Sequence, residues 1–142
     1  MLSKRRETDL SELAESIADF YCPDGVVEPT VIAEKKGIFY CFGRYGNAFD
    51  GLIEQENRFF HIFINTERAG AETPRARFTF AHELGHFFID EHRQALLNGK
   101  TPVHPSFTNF SSKNIVEVEA DFFASSLLLP DSRIKTDCHK MK

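Results

Sequence analysis

A first helix is predicted from apolar side chains that recur every three or four residues between residues 10 and 20. Thr8 or Asp9 can cap its first turn, and the turn sequence Pro-Asp-Gly at residues 23–25 is expected to end it. The apolar face of this helix consists of Leu10, Leu13, Ile17 and Phe20.

Residues 26–64 contain short β-prone runs between turn sequences, which predicts a small, mostly antiparallel sheet. Turns are expected at Lys36-Gly37, at Gly43 to Gly46 and at Gln55 to Asn57. The runs are residues 31–33, 38–42, 51–53 and 59–64.

The second half of the chain is predicted to be mainly helical. Thr73 as cap and Pro74 at the first helical position start a helix that runs to about Ile89. Residues 93–112 are polar and contain Gly99, Pro102 and Pro105, which indicates a long loop. A final helix from about Lys113 to Leu129, stopped by Pro130, is apolar nearly all round and therefore buried. The pattern predicts one α+β domain over residues 1–142.

Composition and charge narrow the function classes. A net charge of −4 and a pI near 5.9 give no electrostatic footprint for nucleic acid, and the basic run Lys4-Arg5-Arg6 is interpreted as a solvated tail. No signal peptide and no membrane-spanning run is expected. The odd number of cysteines, 3, is typical of a reducing compartment. These features predict a cytoplasmic protein.

The sequence His82-Glu83-Leu84-Gly85-His86 is an H-E-x-x-H motif within the predicted second helix. Residues four apart lie one above the other on a helix, so both imidazoles can reach one zinc ion. Glu83 lies beside them, where it can take a proton from a water molecule. The alternative is a buried polar cluster satisfied by ordinary hydrogen bonds, which the Phe-rich surroundings of the motif disfavour.

Two residues compete as third metal ligand. His92 has the spacing of H-E-x-x-H-x-x-G-x-x-H, but Ile89 stands where that site needs Gly to turn the helix. His92 is therefore interpreted as a surface residue. Glu117, on the buried last helix, is favoured as the ligand, although a partnership with Arg or Lys would also explain it.

Asp121 lies one helical turn after Glu117, so the two carboxylates share a face. Asp121 can accept a hydrogen bond from the second ring nitrogen of a ligating histidine and fix its tautomer. Glu119 points elsewhere and is expected to be exposed or paired with Lys.

Three linked segments resemble the ImmA/IrrE family of metallopeptidases. They are Ile64-Asn65, Arg77 to His86, and Glu117-x-Glu119-Ala120-Asp121-x-Phe123-Ala124 leading to Leu128-Leu129-Pro130. The family commonly has Asn in place of Asp121 and Met in place of Leu129. Asp still accepts a hydrogen bond, and Leu for Met changes packing only.

This resemblance implies a minimal zincin-like domain with a small sheet, an H-E-x-x-H helix and a C-terminal helix that bears the third zinc ligand, Glu117. Family members typically cut a helix-turn-helix repressor and so relieve repression. No sensor domain or helix-turn-helix domain is expected in this chain, so the repressor would be a separate protein.

The resulting hypothesis is zinc-dependent peptide hydrolysis with Glu83 as the base. Substrate is expected to add as a strand to an exposed sheet edge, perhaps residues 59–65.

The alternative is a zinc-stabilised binding module that captures a regulator without cutting it. The sequence does not define the oligomeric state. An oxyanion-stabilising side chain is also expected, and the candidates are Tyr45, His61, Arg77, His92 and His104.

Overall fold

The computed structural model describes residues 2–99, 103–107 and 114–129 and confirms the α+β class. Five helices accompany a four-stranded sheet in this part of the chain. The elements are α1 (Lys4–Tyr21), α2 (Pro29–Lys36), β1 (Phe39–Gly43), β2 (Gly51–Glu56), β3 (Phe59–Asn65), α3 (Pro74–Phe88), α4 (Asp90–Leu97), β4 (Val103–Ser106) and α5 (Ile115–Leu128).

Helix α1 begins at Lys4, four residues before Thr8, the earlier of the two predicted caps. Ser3 is the cap, because its hydroxyl accepts a hydrogen bond from the backbone N–H of Arg6 at 3.1 Å. The basic run interpreted as a tail is therefore the first turn of α1. Phe20, predicted on the packed face, is 76% exposed. The end of the helix before Pro23 is confirmed.

The predicted strand at residues 31–33 is wrong, because these residues belong to α2. Pro29 begins this helix with a backbone already fixed near helical φ, and Gly37 ends it at φ 80°. These two end signals outweigh the β propensity of a Val-Ile pair. The other three β-prone runs are confirmed as β1, β2 and β3.

The sheet has the strand order β1-β3-β2-β4. Strand β3 pairs parallel with β1, while β2 pairs antiparallel with both β3 and β4, so the sheet is mixed and mostly antiparallel. Strand β3 thus has a partner on each side. The proposal that residues 59–65 form an exposed edge is wrong, and the edges of the described sheet are β1 and β4.

The predicted loop at residues 93–112 contains regular structure. Ile89 has extended backbone angles that separate α3 from α4, and β4 then adds to the edge of the sheet. Helix α4 is largely polar, but His92 and Leu96 lie four residues apart and both face inward. Only two inward-facing side chains mark this helix, which explains why the pattern indicated a loop.

Helices α3 and α5 agree with prediction where they are described. The Thr73 hydroxyl accepts from the Ala76 N–H at 3.2 Å, and Pro74 begins α3. Asn114 caps α5, because its side-chain oxygen Oδ1 accepts a hydrogen bond from the backbone N–H of Glu117 at 3.0 Å. The predicted limits Lys113 and Pro130 lie outside the described residues. None of the five described helices combines the length and hydrophobicity that a membrane span requires.

Helix α3 packs between the sheet and α5, and α1 packs on α5 in turn. Gly85 allows the close approach of α3 and α5. A Cβ atom at Gly85 would lie 3.1 Å from Cδ1 of Phe123 and 3.4 Å from the Cα of Ala120. Both neighbours are fully buried, so neither can move away easily. The spacing of these two helices therefore depends on the missing side chain at residue 85.

We predict that Gly85→Val lowers the free energy of unfolding by about 1–3 kcal/mol, because its side chain overpacks the contact with α5. Denaturation in urea measures the change. Gly70→Val is the matched control, since Gly70 is exposed and a Cβ there meets nothing within 4 Å; its change should stay within about 0.5 kcal/mol. Equal effects of the two substitutions would contradict the packing argument.

Candidate metal centre

Helix α3 places His82 and His86 one turn apart with their rings on the same side. Their Nε2 atoms lie 3.2 Å from each other, and both residues are buried. The motif residues therefore face a common point, as residues four apart on a helix should.

Glu117 of α5 completes a group of three ligand atoms. Its Oε1 lies 2.9 Å from Nε2 of His82, its Oε2 lies 3.5 Å from Nε2 of His86, and the ligand atoms of the three residues all lie within 4.8 Å of one another. Two atoms bound to a tetrahedral zinc ion at about 2.05 Å are roughly 3.3 Å apart. The donor set and its spacing therefore fit a metal ion held by His82, His86 and Glu117.

Asp121 contacts the opposite edge of the His82 ring. Its Oδ1 accepts a hydrogen bond from Nδ1 at 2.7 Å. This bond favours the proton on Nδ1, so that Nε2, which faces His86 and Glu117, would offer its lone pair to a metal ion. The side chain is placed as the one-turn spacing from Glu117 predicts.

His92 lies behind the site, and its interpretation as a surface residue is wrong. The residue is 6% exposed, and its Nδ1 lies 3.0 Å from Nδ1 of His86. The turn at Ile89 folds α4 back so that His92 meets the edge of the His86 ring that faces away from His82. In this position His92 does not belong to the group of potential metal ligands formed by His82, His86 and Glu117.

Glu119 is also buried to a greater extent than expected. It accepts from Nε2 of His92 at 2.8 Å and from Nε of Arg6 at 2.6 Å. The prediction of an exposed or Lys-paired residue is wrong, because α1 and α4 both pack near this side of α5. The partner is an arginine from the other end of the chain.

Glu83 is 0% exposed, and neither of its carboxylate oxygens has a hydrogen-bond partner among the described residues. Gly51 of β2 leaves room for this carboxylate, since a Cβ atom at residue 51 would lie 2.7 Å from Oε2 of Glu83. Ser106, which pairs with Gly51 across the sheet, brings its hydroxyl near the carboxylate without reaching hydrogen-bond geometry. A buried carboxylate without a hydrogen-bond partner in the described part of the chain is suited to bind a group that enters the site.

The surroundings set the charges of these groups in the protein alone. Burial raises the pKa of Glu83 to about 7 and lowers the pKa of His86 to about 3. Burial also opposes the charged form of His82, but its hydrogen bonds to Asp121 and Glu117 raise its pKa to about 9. Although burial acts against it, the neighbouring imidazoles of His104, His82 and His86 hold the pKa of Glu117 far below its usual range. In the protein alone, the surroundings therefore favour a neutral His86 and an ionised Glu117.

His104 of β4 is the fourth imidazole at the centre. Its Nε2 donates to Oε2 of Glu117 at 2.6 Å, and its ring centroid lies 4.4 Å from that of His86. The sequence offered it as one of five candidates for oxyanion stabilisation and did not choose among them. The signal that it missed is the strand β4, whose pairing with β2 brings residue 104 to the sheet edge beside α3.

The other four oxyanion candidates lie elsewhere or face away from the ligand atoms. The Tyr45 hydroxyl is 3.7 Å from Sγ of Cys41, the His61 ring stacks on Phe39, and Arg77 donates to the carbonyl of Val27. His92 lies behind His86. Among the five, only His104 contacts one of the three clustered residues on the side where the ligand atoms meet.

A cavity of about 560 Å³ adjoins the centre. It lies between α1, α4, β4 and α5, and its lining includes His86 and His104 together with Arg6, His92 and Glu119. The cavity therefore adjoins the centre on the side of His86 and His104, and His82, Glu83 and Glu117 are not among its lining residues.

One comparison with known proteins identifies the family of the chain. The family model of the IrrE N-terminal-like domain, Peptidase_M78, matches residues 35–142, which is most of the 142-residue chain. A search of curated proteins finds no match. The family match covers the helix with His82, Glu83 and His86 and the helix with Glu117, and it confirms the family to which the three sequence segments pointed. The chain belongs to the IrrE N-terminal-like family of peptidases.

Proposed function

We propose that the protein is a zinc-dependent endopeptidase that cuts a helix-turn-helix transcriptional repressor. The observation that carries this proposal is the convergence of His82, His86 and Glu117 beside the buried, unpartnered carboxylate of Glu83. Two imidazoles and one carboxylate are a ligand set of catalytic zinc, which leaves further positions for water and substrate. Family membership supports peptidase chemistry.

Each residue of the centre has a defined task in this proposal. Zinc, when bound, supplies a Lewis acid that polarises the scissile carbonyl and lowers the pKa of water. Glu83 accepts the proton of the attacking water and delivers it to the leaving amine. Its side chain occupies the space left by the missing Cβ of Gly51, and neither carboxylate oxygen has a hydrogen-bond partner among the described residues that would compete for the proton.

His104 is the residue to which we assign oxyanion stabilisation. It stands on the edge strand β4, and its Nε2 is at hydrogen-bond distance from Glu117, so a donor is already directed into the centre. A carbonyl oxygen that gains negative charge next to the ligand atoms could take over this N–H.

The substrate strand is assigned to the β4 edge. Strand β4 carries His104, and within the described residues it pairs on one side only, with β2. A peptide added in extended form along β4 would run past the ligand atoms, with its backbone bonded to the strand. The adjoining cavity would receive a substrate side chain.

The repressor substrate and the cytoplasmic location belong to the same proposal. Repressors act on DNA inside the cell, and the odd number of cysteines, 3, fits a reducing compartment. The net charge of −4 favours contact with a basic, DNA-binding protein over contact with DNA itself.

We predict that Glu117→Ala abolishes stoichiometric zinc binding, because only two of three protein ligands remain. Zinc content after dialysis, measured by atomic emission, is the readout. Glu72→Ala removes an exposed carboxylate from the loop before α3 and should retain one zinc per chain. Full zinc content in Glu117→Ala would contradict the ligand assignment.

Glu83→Gln keeps the size of the side chain and removes the base. We expect it to bind zinc as the original protein does and to cut a helix-turn-helix protein encoded beside it at least about 100-fold more slowly. Glu72→Gln is the control and should cut at the normal rate. If the wild-type protein binds the repressor without cutting it, and Glu83→Gln behaves identically, the function is capture by a zinc-stabilised binding module.

His104→Phe removes the proposed oxyanion donor. The expected result is a fall in kcat of about 100-fold or more with zinc content retained. His61→Phe is the matched control, since His61 lies on β3 with its ring stacked on Phe39 and should change kcat little. A normal kcat in His104→Phe would exclude His104 from the reaction.

A further inference from the structure

We propose that Arg6 of the N-terminal helix positions His86 through a relay of Glu119 and His92. This inference rests on the proposed function, because it assumes that His86 binds a metal ion through Nε2. It adds two elements to the site, α1 and α4, and identifies Arg6 and His92 as positioning residues. Arg6 precedes the residues that the family model matches, 35–142.

The relay is a continuous chain of polar contacts. Arg6 Nε donates to Oε2 of Glu119 at 2.6 Å, and Oε1 of Glu119 lies 2.8 Å from Nε2 of His92. Nδ1 of His92 lies 3.0 Å from Nδ1 of His86. Each contact joins a different pair of elements, so α1, α5, α4 and α3 are linked in that order.

Hydrogen-bond chemistry gives the relay one consistent set of protons when both imidazoles are neutral. Glu119, paired with Arg6, is a carboxylate and can only accept, so the proton of His92 is on Nε2. Nδ1 of His92 then carries a lone pair and must accept from Nδ1 of His86. The lone pair of His86 is consequently on Nε2, the nitrogen directed at His82 and Glu117.

The arrangement performs for His86 the task that Asp121 performs for His82. Asp121 is close enough to accept from Nδ1 of its histidine directly, at 2.7 Å. The carboxylate of Glu119 does not contact His86, and His92 bridges the gap. Both ligand imidazoles thereby have a carboxylate that fixes the tautomer needed for metal binding.

The relay is largely buried. The side chain of His92 is 3% exposed and that of Glu119 is 13% exposed, and both residues line the cavity beside His86. Arg6 places its positive charge against Glu119, with Nε 2.6 Å from Oε2. A purely structural tie between α1 and α5 would need Arg6 and Glu119 but would not require the His92–His86 contact.

Zinc affinity, measured by competition with a chromophoric chelator, tests the relay. His92→Phe keeps a buried ring and removes the acceptor, and it should weaken zinc binding roughly 10–100-fold. Arg6→Ala acts one step further away and should weaken it less, by roughly threefold or more, with Arg6→Lys restoring most of the loss. Arg5→Ala is the matched control, because Arg5 is the exposed neighbour on the same helix.

A second readout separates positioning from a structural role. In zinc-loaded protein with ¹⁵N-labelled histidine, His86 should show an exchange-protected Nδ1–H, and this signal should be lost in His92→Phe. Urea denaturation shows which variants fold, and if His92→Phe does not, Glu119→Gln and Arg6→Ala carry the test.

Unchanged zinc affinity and an unchanged Nδ1–H signal in the folded variants would overturn the relay while leaving the proposed function intact. Failure of the wild-type protein to bind zinc would instead overturn the proposed function.

Discussion

The contact between α3 and α5 at Gly85 and Ala120 is the constraint on which the centre depends. Residues 82 and 86 reach one side of α3 through helical spacing alone, but Glu117 and Asp121 come from another helix and follow His82 by 35 and 39 residues. Their carboxylates reach the His82 ring because no side chain at residue 85 holds the helices apart. The covering helix α1 then closes the far side of α5 and supplies Arg6.

A buried group of imidazoles and carboxylates in a Phe-rich core is costly unless every member has a partner. His82 has Asp121, His86 has His92, and Glu117 has His104. Glu83 differs, because both of its oxygens are buried without a hydrogen-bond partner in the described residues. This difference fits a role for Glu83 as proton acceptor. The protein fixes the neighbouring groups, whereas the hydrogen-bond partner of Glu83 enters the site with the reaction.

The parts that the sequence predicted are those with a strong local signal. The H-E-x-x-H helix has a cap, Pro at its first position and a regular apolar face, and the one-turn spacing of Glu117 and Asp121 defines a shared face. Helices α2 and α4 were missed because one contains β-branched residues and the other buries few side chains. His92 was misjudged, and His104 could not be chosen among the oxyanion candidates, because their positions depend on tertiary packing: the turn at Ile89 and the β2–β4 pairing. The pattern of residues along the sequence shows neither this turn nor this strand pairing.

The central claim is that His82, His86 and Glu117 converge on one metal ion. Crystals of the purified protein, measured on both sides of the zinc absorption edge, test it most directly. We expect one anomalous peak coordinated by Nε2 of His82, Nε2 of His86 and a carboxylate oxygen of Glu117. Nδ1 of His86 should still be hydrogen-bonded to His92. A zinc peak on His92 with the Glu117 side chain turned away, or no peak between the two α3 imidazoles in zinc-supplemented crystals, would contradict it.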